Sequence, residues 1–237
     1  MLGRLLHRLS SLIVEQRCLV CGKPIEGKLH NICIPCRYSI PTTGFWLKEE
    51  NPVKEHFAGI IPIVHASSFF TYREESPWRS LIHQFKYAGK WRIAYDLGLW
   101  FGAELKASGL YDDIDMVIPI PLHPMKTIKR GYNQSSYIAD GIAKSLGIKS
   151  SHHSVRRIRN NPSQTQRAFK ERWQNVDNLF KVRNTKHLQG KHILLVDDVL
   201  TTGATITSCA EAILHDVPDC RISIATIAVT QHLTHTR

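Results

Sequence analysis

The chain has 237 residues, enough for one sizeable domain with a small appended module. Its hydrophobic content of 43% is that of a folded globular protein, and no repeat or low-complexity tract interrupts it. The charge is less ordinary: 31 Lys+Arg against 20 Asp+Glu leave a formal +11, which disfavours basic partners and points to phosphorylated small molecules or nucleic acid without choosing between them.

Residues 2–15 place Leu2, Leu5, Leu6, Leu9, Leu12 and Ile13 at helical spacing, with Arg4, His7 and Arg8 on other faces. These charges, with no small-residue cleavage site after them, argue against a secretory leader. The favoured reading is a helix docked on the chain's own body, and the alternative is a membrane-surface or partner-binding helix.

Residues 16–42 are turn-rich and carry Cys18-Leu-Val-Cys21 and Cys33-Ile-Pro-Cys36. Thiolates at i and i+3 grip one ion from a tight turn, and two such turns make a closed tetrahedral zinc site. A closed site leaves no position for water, so a structural role is expected, with metal binding supplying most of the module's folding free energy. Redox pairs or reduced core cysteines are the alternatives. Cysteines paired in this way suit a reducing compartment, so the chain reads as cytoplasmic. Cys209 and Cys220 read as small apolar residues. The expected organisation is an N-terminal helix and four-cysteine ribbon over 1–45, a linker over 46–58 and a main domain over 59–237.

The longest apolar-rich stretch, His56 to Tyr72, is broken by Pro62, His65 and two serines and is too short to span a membrane. Its second part, Ile60 to Tyr72, predicts one or two strands. Helices are expected over 78–87, 93–105, 135–146 and 206–214, and strands over 115–120, 193–196 and 221–230. Strands alternating with helices predict a parallel α/β sheet with its binding loops at the carboxyl ends of the strands.

Two of those ends carry chemistry. In Ile193-Leu-Leu-Val-Asp-Asp-Val-Leu-Thr-Thr-Gly-Ala-Thr205 an apolar strand runs into Asp197 and Asp198, then into a small-residue loop. Carboxylates hold sugar hydroxyls, while hydroxyls and free N–H groups at a helix start hold phosphate. In the segment 118–134, prolines force the chain out of a strand, Lys126, Lys129 and Arg130 bring positive charge, Gly131 permits an unusual turn, and Asn133 can cap the next helix. This segment reads either as a basic surface loop or as a pyrophosphate-binding loop.

The first motif resembles the phosphoribosyl pyrophosphate (PRPP) signature of type I phosphoribosyltransferases. The paired cysteines, Phe85-Lys-Tyr-Ala-Gly-Lys90, Pro119-Ile-Pro-Leu122, Arg130-Gly-Tyr-Asn-Gln134, and Gln164, Arg172 and Asn175 together resemble the ComF family of competence-related phosphoribosyltransferase-like proteins, which includes GntX-type members. The chain departs from that pattern at Gln166-Arg-Ala168. The resemblance implies a Rossmann-like parallel sheet flanked by helices behind a zinc ribbon. It further implies that Asp197 and Asp198 hold the ribose hydroxyls with Mg²⁺ nearby. Thr201, Thr202, Gly203, Ala204 and Thr205 would hold the 5′-phosphate, and Pro121, Leu122, Lys126 and Arg130 the pyrophosphate. Residues 157–175 would form a hood. The family is linked to natural transformation and to single-stranded DNA, which implies a DNA-uptake role and a competence helicase or DNA-processing protein as partner. The alternative is a housekeeping phosphoribosyltransferase acting on a small base or amine.

Between Arg156 and Arg183 eight Arg/Lys residues face only Glu171 and Asp177, with Phe169, Trp173 and Phe180 interleaved. Arg156, Arg157, Arg159, Lys170 and Arg172 read either as a single-strand binding stretch, with aromatics as stacking platforms, or as a solvated basic face.

Overall fold

A computed structural model of the chain describes residues 17–25, 31–73, 75–159 and 179–234. The expected N-terminal helix, and Lys170, Arg172 and most of the expected hood, lie outside those residues.

The frame is a five-stranded sheet built from β1 (Ala66–Tyr72), β2 (Met116–Pro119), β3 (Lys149–Ser150), β6 (His192–Leu200) and β7 (Arg221–Thr230). All pairings are parallel, in the order β1-β7-β6-β2-β3. The central strands are near-continuous apolar runs: Ile193 to Val196 and Ile222 to Val229 are buried, as a sheet covered on both faces requires. Ile60 to Tyr72 yields one strand of the two considered.

Helices α3 (Arg79–Tyr87), α4 (Trp91–Ser108) and α6 (Gln134–Leu146) belong to one face, where Phe69, Leu81, Phe85, Phe101, Val117, Ile138 and Leu194 form one core cluster. On the other face α2 (Pro52–Phe57) and α7 (Ala204–Asp216) supply Val53, Phe57, Ile206 and Ile213 to a second cluster with Ile118, Ile193 and Leu195. A hairpin-like pair, β4 (Val155–Arg157) and β5 (Phe180–Val182), runs antiparallel beside this second layer.

The connection from β2 through α6 leads outward to β3, whereas that from β6 through α7 leads the opposite way to β7. The connections from these two neighbouring strands therefore leave in opposite directions at their carboxyl ends and open a crevice there, the usual ligand position in open α/β sheets.

The segment 46–58 departs from the linker reading. Trp46, Val53 and Phe57 are buried, and Asn51 caps α2 by accepting from the N–H groups of Val53 and Lys54. An N-cap followed by Pro52 at the first helical position was the available signal. The cysteine module, which carries the short helix α1 (Ile34–Tyr38), is also docked: Cys18, Ile32, Cys36 and Ile40 belong to the same core cluster as Phe70 and Trp78.

At the amino end of the sheet, His192 is fully buried between Asp113 Oδ1 and Ser223 Oγ, each 2.9 Å away. Burial lowers the imidazole's pKa against the opposing pull of the Asp113 carboxylate, and both ring nitrogens have a partner. Ser, His and Asp meet here in hydrogen-bonded order, but Ser223 and His192 are both 0% exposed. The arrangement ties strands together far from the crevice.

The contact between α4 and α6 leaves no room for side chains. A Cβ at Gly141 would lie 2.3 Å from the Tyr95 carbonyl oxygen, and one at Gly98 would lie 2.3 Å from that of Ile138. Gly141→Ala is expected to destabilise the chain by about 1–3 kcal/mol in chemical denaturation, because backbone must move to admit the methyl. Unchanged or increased stability, in line with the roughly 1 kcal/mol helix preference of Ala over Gly, would contradict this close approach.

Candidate functional site

The crevice holds a cavity of about 950 Å³. Its floor comes from β6. Asp198 is 5% exposed; its Oδ2 accepts from Gln134 Nε2 at 2.6 Å and its Oδ1 faces Lys86 Nζ at 3.0 Å. Asp197 Oδ1 accepts from Ser135 Oγ at 2.8 Å and from the Asp198 N–H at 2.9 Å. Desolvation, then the adjacent Asp198 carboxylate, push the Asp197 carboxyl up to about 7. The two acids are therefore unlike in their partners: Asp198 is tied to a cation, and Asp197 is bonded by a hydroxyl.

Their partners are delivered by the turn before α6. Asn133 caps that helix, accepting from the Ser135 N–H, and its own Nδ2 donates to the Ile120 carbonyl at 3.0 Å. This fastens the helix start to the end of β2 and aims Gln134 and Ser135 at the carboxylates. Gln134 Oε1 is buried with no hydrogen-bond partner among the described residues, so the amide oxygen is an acceptor still to be satisfied.

One wall is the turn from β6 to α7. Thr201 and Thr205 line the cavity, with Thr202, Gly203 and Ala204 between them. Gly203 has φ of +71°, and a Cβ there would lie 2.9 Å from His56 Nε2 and 3.0 Å from the Phe57 ring. Both the conformation and the packing thus require glycine. His56 Nε2 lies 3.1 Å from the Thr202 carbonyl, so α2 braces the turn from behind. The turn leads into the 13-residue α7, whose first N–H groups and partial positive charge suit a phosphate.

The opposite wall is the 119–134 segment. It folds as a short helix, α5 (Pro124–Arg130), closed by Gly131 at φ of +83°. Pro121, Leu122, Lys126 and Arg130 line the cavity. The arm is locked to the carboxyl end of α3: the Tyr132 hydroxyl donates to the Phe85 carbonyl, and the Arg130 guanidinium stacks 5.2 Å from the Tyr87 ring centroid.

Of the nucleic-acid residues read from the sequence, Arg157 lines both the main cavity and a neighbouring cleft of about 280 Å³, and packs 5.6 Å from the Phe180 ring centroid. Arg156 lines that cleft with His152, His153 and Arg183. Arg159 offers its carbonyl to Arg157 Nε at 3.3 Å. Sequence reasoning passed over Lys86, Gln134 and Ser135 as site residues. Lys86 lay in a quoted motif without a role, and only the tertiary path of α3 and α6 brings all three to the carboxylates.

In the cysteine module, the sulfur atoms of Cys18, Cys21, Cys33 and Cys36 all lie within 4.8 Å of one another, with Cys21 and Cys33 3.6 Å apart. Four thiolates about 2.3 Å from one tetrahedral zinc are about 3.8 Å apart, so the cluster fits a metal ion. Burial alone would raise the Cys18 thiol, but backbone N–H groups of Cys21, Cys33 and Val20 outweigh it and bring it to about 6. Burial and the neighbouring sulfurs push Cys36 up, the tension a bound cation relieves. Cys209 and Cys220 are buried, as small apolar residues would be.

No helix among the described residues is long and apolar enough to cross a membrane. The phosphoribosyl transferase domain family matches residues 133–235. DNA utilization protein YhgH of Salmonella typhimurium is 29% identical over 144 residues, 59% of this chain and 62% of that protein, so the match spans just under two thirds of the relative's length. Competence protein F of Haemophilus influenzae is 31% identical over 98 residues, 41% of this chain and 43% of that protein. Competence protein ComFC of Bacillus subtilis is 26% identical over 211 residues, 89% of this chain and 76% of that protein. A parallel sheet, a crevice lined by Asp197 and Asp198, and a four-cysteine cluster ahead of it thus stand in a chain whose residues 133–235 match the phosphoribosyl transferase domain family and which is similar to YhgH, Competence protein F and ComFC.

Proposed function

We propose that the chain binds PRPP in the crevice and acts in the uptake or use of DNA, with phosphoribosyl transfer as the chemistry of the pocket. The observation that carries this reading is the convergence of three elements on one cavity: the carboxylates of β6, the 201–205 turn and the cationic 121–130 arm. The relatives' names supply the DNA context. In this arrangement the carboxylates meet the ribose, the turn holds the 5′-phosphate, and Lys126 and Arg130 face the pyrophosphate.

Transfer breaks the bond between C1 and the pyrophosphate oxygen as a bond from the acceptor forms, and the pyrophosphate leaves with the electron pair. Positive charge grows on the ribose ring and negative charge on the departing group. A carboxylate below the ring and cations at the arm oppose that separation. Magnesium bound with the pyrophosphate neutralises part of its charge. Asp197, bonded by Ser135 rather than by a cation, is the carboxylate with capacity to meet a ligand or its metal.

The metal of the cysteine cluster is read as zinc with a structural role, because four sulfur ligands close the coordination sphere. The ribbon is also where a helicase or other DNA-processing partner would dock. Single-stranded DNA is assigned to the basic stretch that carries Arg156 and Arg159 and, further along the sequence, Lys170 and Arg172. The alternative, a housekeeping transferase without a DNA role, keeps the same pocket.

Three outcomes are expected. PRPP with Mg²⁺ should raise the melting temperature, since a ligand at about 100 times its Kd stabilises by about 2.7 kcal/mol, and pyrophosphate should be released once an acceptor is supplied. Asp197→Asn/Asp198→Asn should abolish both effects, and a shift that survives the double change rejects the assignment. Metal analysis should give about one zinc per chain, lost in Cys18→Ser/Cys36→Ser; a metal-free native chain of unaltered stability would reject the ribbon. Single-strand affinity should fall steeply with salt and drop on Arg156→Glu/Arg159→Glu, whereas unchanged affinity would move the DNA site elsewhere.

A further inference from the structure

Both oxygens of Asp198, in the lining of the cavity, are already engaged by groups of the chain. One of its oxygens accepts from Gln134 Nε2 at 2.6 Å and the other faces Lys86 Nζ at 3.0 Å, while the residue is 5% exposed. A buried carboxylate satisfied on both oxygens serves the chain itself. Lys86 differs. Its side chain is 19% exposed and lines the cavity, and an ammonium has three donors, of which Asp198 and its surroundings need not take all.

The surroundings of Lys86 point the same way. The carboxylate that holds its ammonium also accepts from Gln134, at the end of the 119–134 segment. Its neighbours Phe85 and Tyr87 are held to that segment through Tyr132 and Arg130 respectively, and Lys126 and Arg130 line the same cavity.

We propose that Asp198 is a buried anchor and that Lys86, held by it, is the group that contacts the ligand, at an anionic oxygen of the pyrophosphate end. This rests on the reading of the crevice as a PRPP pocket and reassigns one of its two acids. Asp197 alone is left to meet the ribose. The function of Asp198 is to desolvate and aim an ammonium that would otherwise sample many rotamers, so the pocket presents a fixed positive charge before any metal arrives.

The test is calorimetric titration of the native chain, Lys86→Gln, Lys86→Arg, Asp198→Asn and the Lys86→Gln/Asp198→Asn double variant. The probes are PRPP and ribose 5-phosphate, each with and without Mg²⁺, and thermal melts check that each variant is folded. Loss of a charged contact predicts that Lys86→Gln weakens PRPP about tenfold or more. Ribose 5-phosphate, which lacks the pyrophosphate, should change less than about threefold. Asp198→Asn should show the same ligand selectivity, the double variant should be no worse than either single change, and Lys86→Arg should recover part of the PRPP affinity. Equal losses for both ligands, losses that add in the double variant, or undiminished PRPP binding by Lys86→Gln would each overturn the proposal while leaving the pocket reading intact. Failure of the native chain to bind PRPP at all would overturn the pocket reading, and this proposal with it.

Discussion

The site depends on one constraint, the placing of two adjacent carboxylates at the end of a strand buried on both faces. Both carboxylates line one cavity, and each needs partners of its own. Ser135 bonds Asp197 from the start of α6, while Gln134 from the same turn and Lys86 from α3 satisfy Asp198. Buried charge without partners would oppose folding, so these contacts make a carboxylate pair tolerable at the centre of the sheet.

The remaining architecture follows from that requirement. For Gln134 and Ser135 to reach β6, α6 must begin at the end of β2, and Asn133 fastens it there by bonding the Ile120 carbonyl. For Lys86 to reach it, α3 and α4 must lie close over the same face, and glycines at 98 and 141 let α4 and α6 meet backbone to backbone. On the other face, α2 supplies His56 and Phe57 against the Gly203 turn. The segment expected to be slack is thus a brace for the phosphate wall. A basic chain here means local design as well as overall charge: the arm and α3 concentrate cations on one side of the cavity.

Much of this was legible in the sequence. The apolar run of β6 ending in two acids, the small-residue turn and the following helical spacing identified the strand, the turn and α7 from local pattern alone, and the cysteine spacing foretold the cluster. What escaped were features with no local signature. Lys86, Gln134 and Ser135 become site residues only because α3 and α6 converge on β6, and no periodicity encodes that meeting. Arg157 sits in a charge run that reads as a uniform basic stretch, yet it reaches the main cavity as well as the neighbouring cleft that it shares with Arg156. The segment 46–58 looked like a linker because helix α2 spans only six residues, too few for a periodic pattern to show, although its Asn-Pro start was a readable cap.

A structure of the chain crystallised with PRPP and Mg²⁺ tests the pocket most directly. One orientation is expected: 5′-phosphate on the turn of residues 201–205, ribose over Asp197, and pyrophosphate among Lys86, Lys126 and Arg130. Density for the ligand in the reverse orientation, or outside the crevice between β6 and β2, would contradict it.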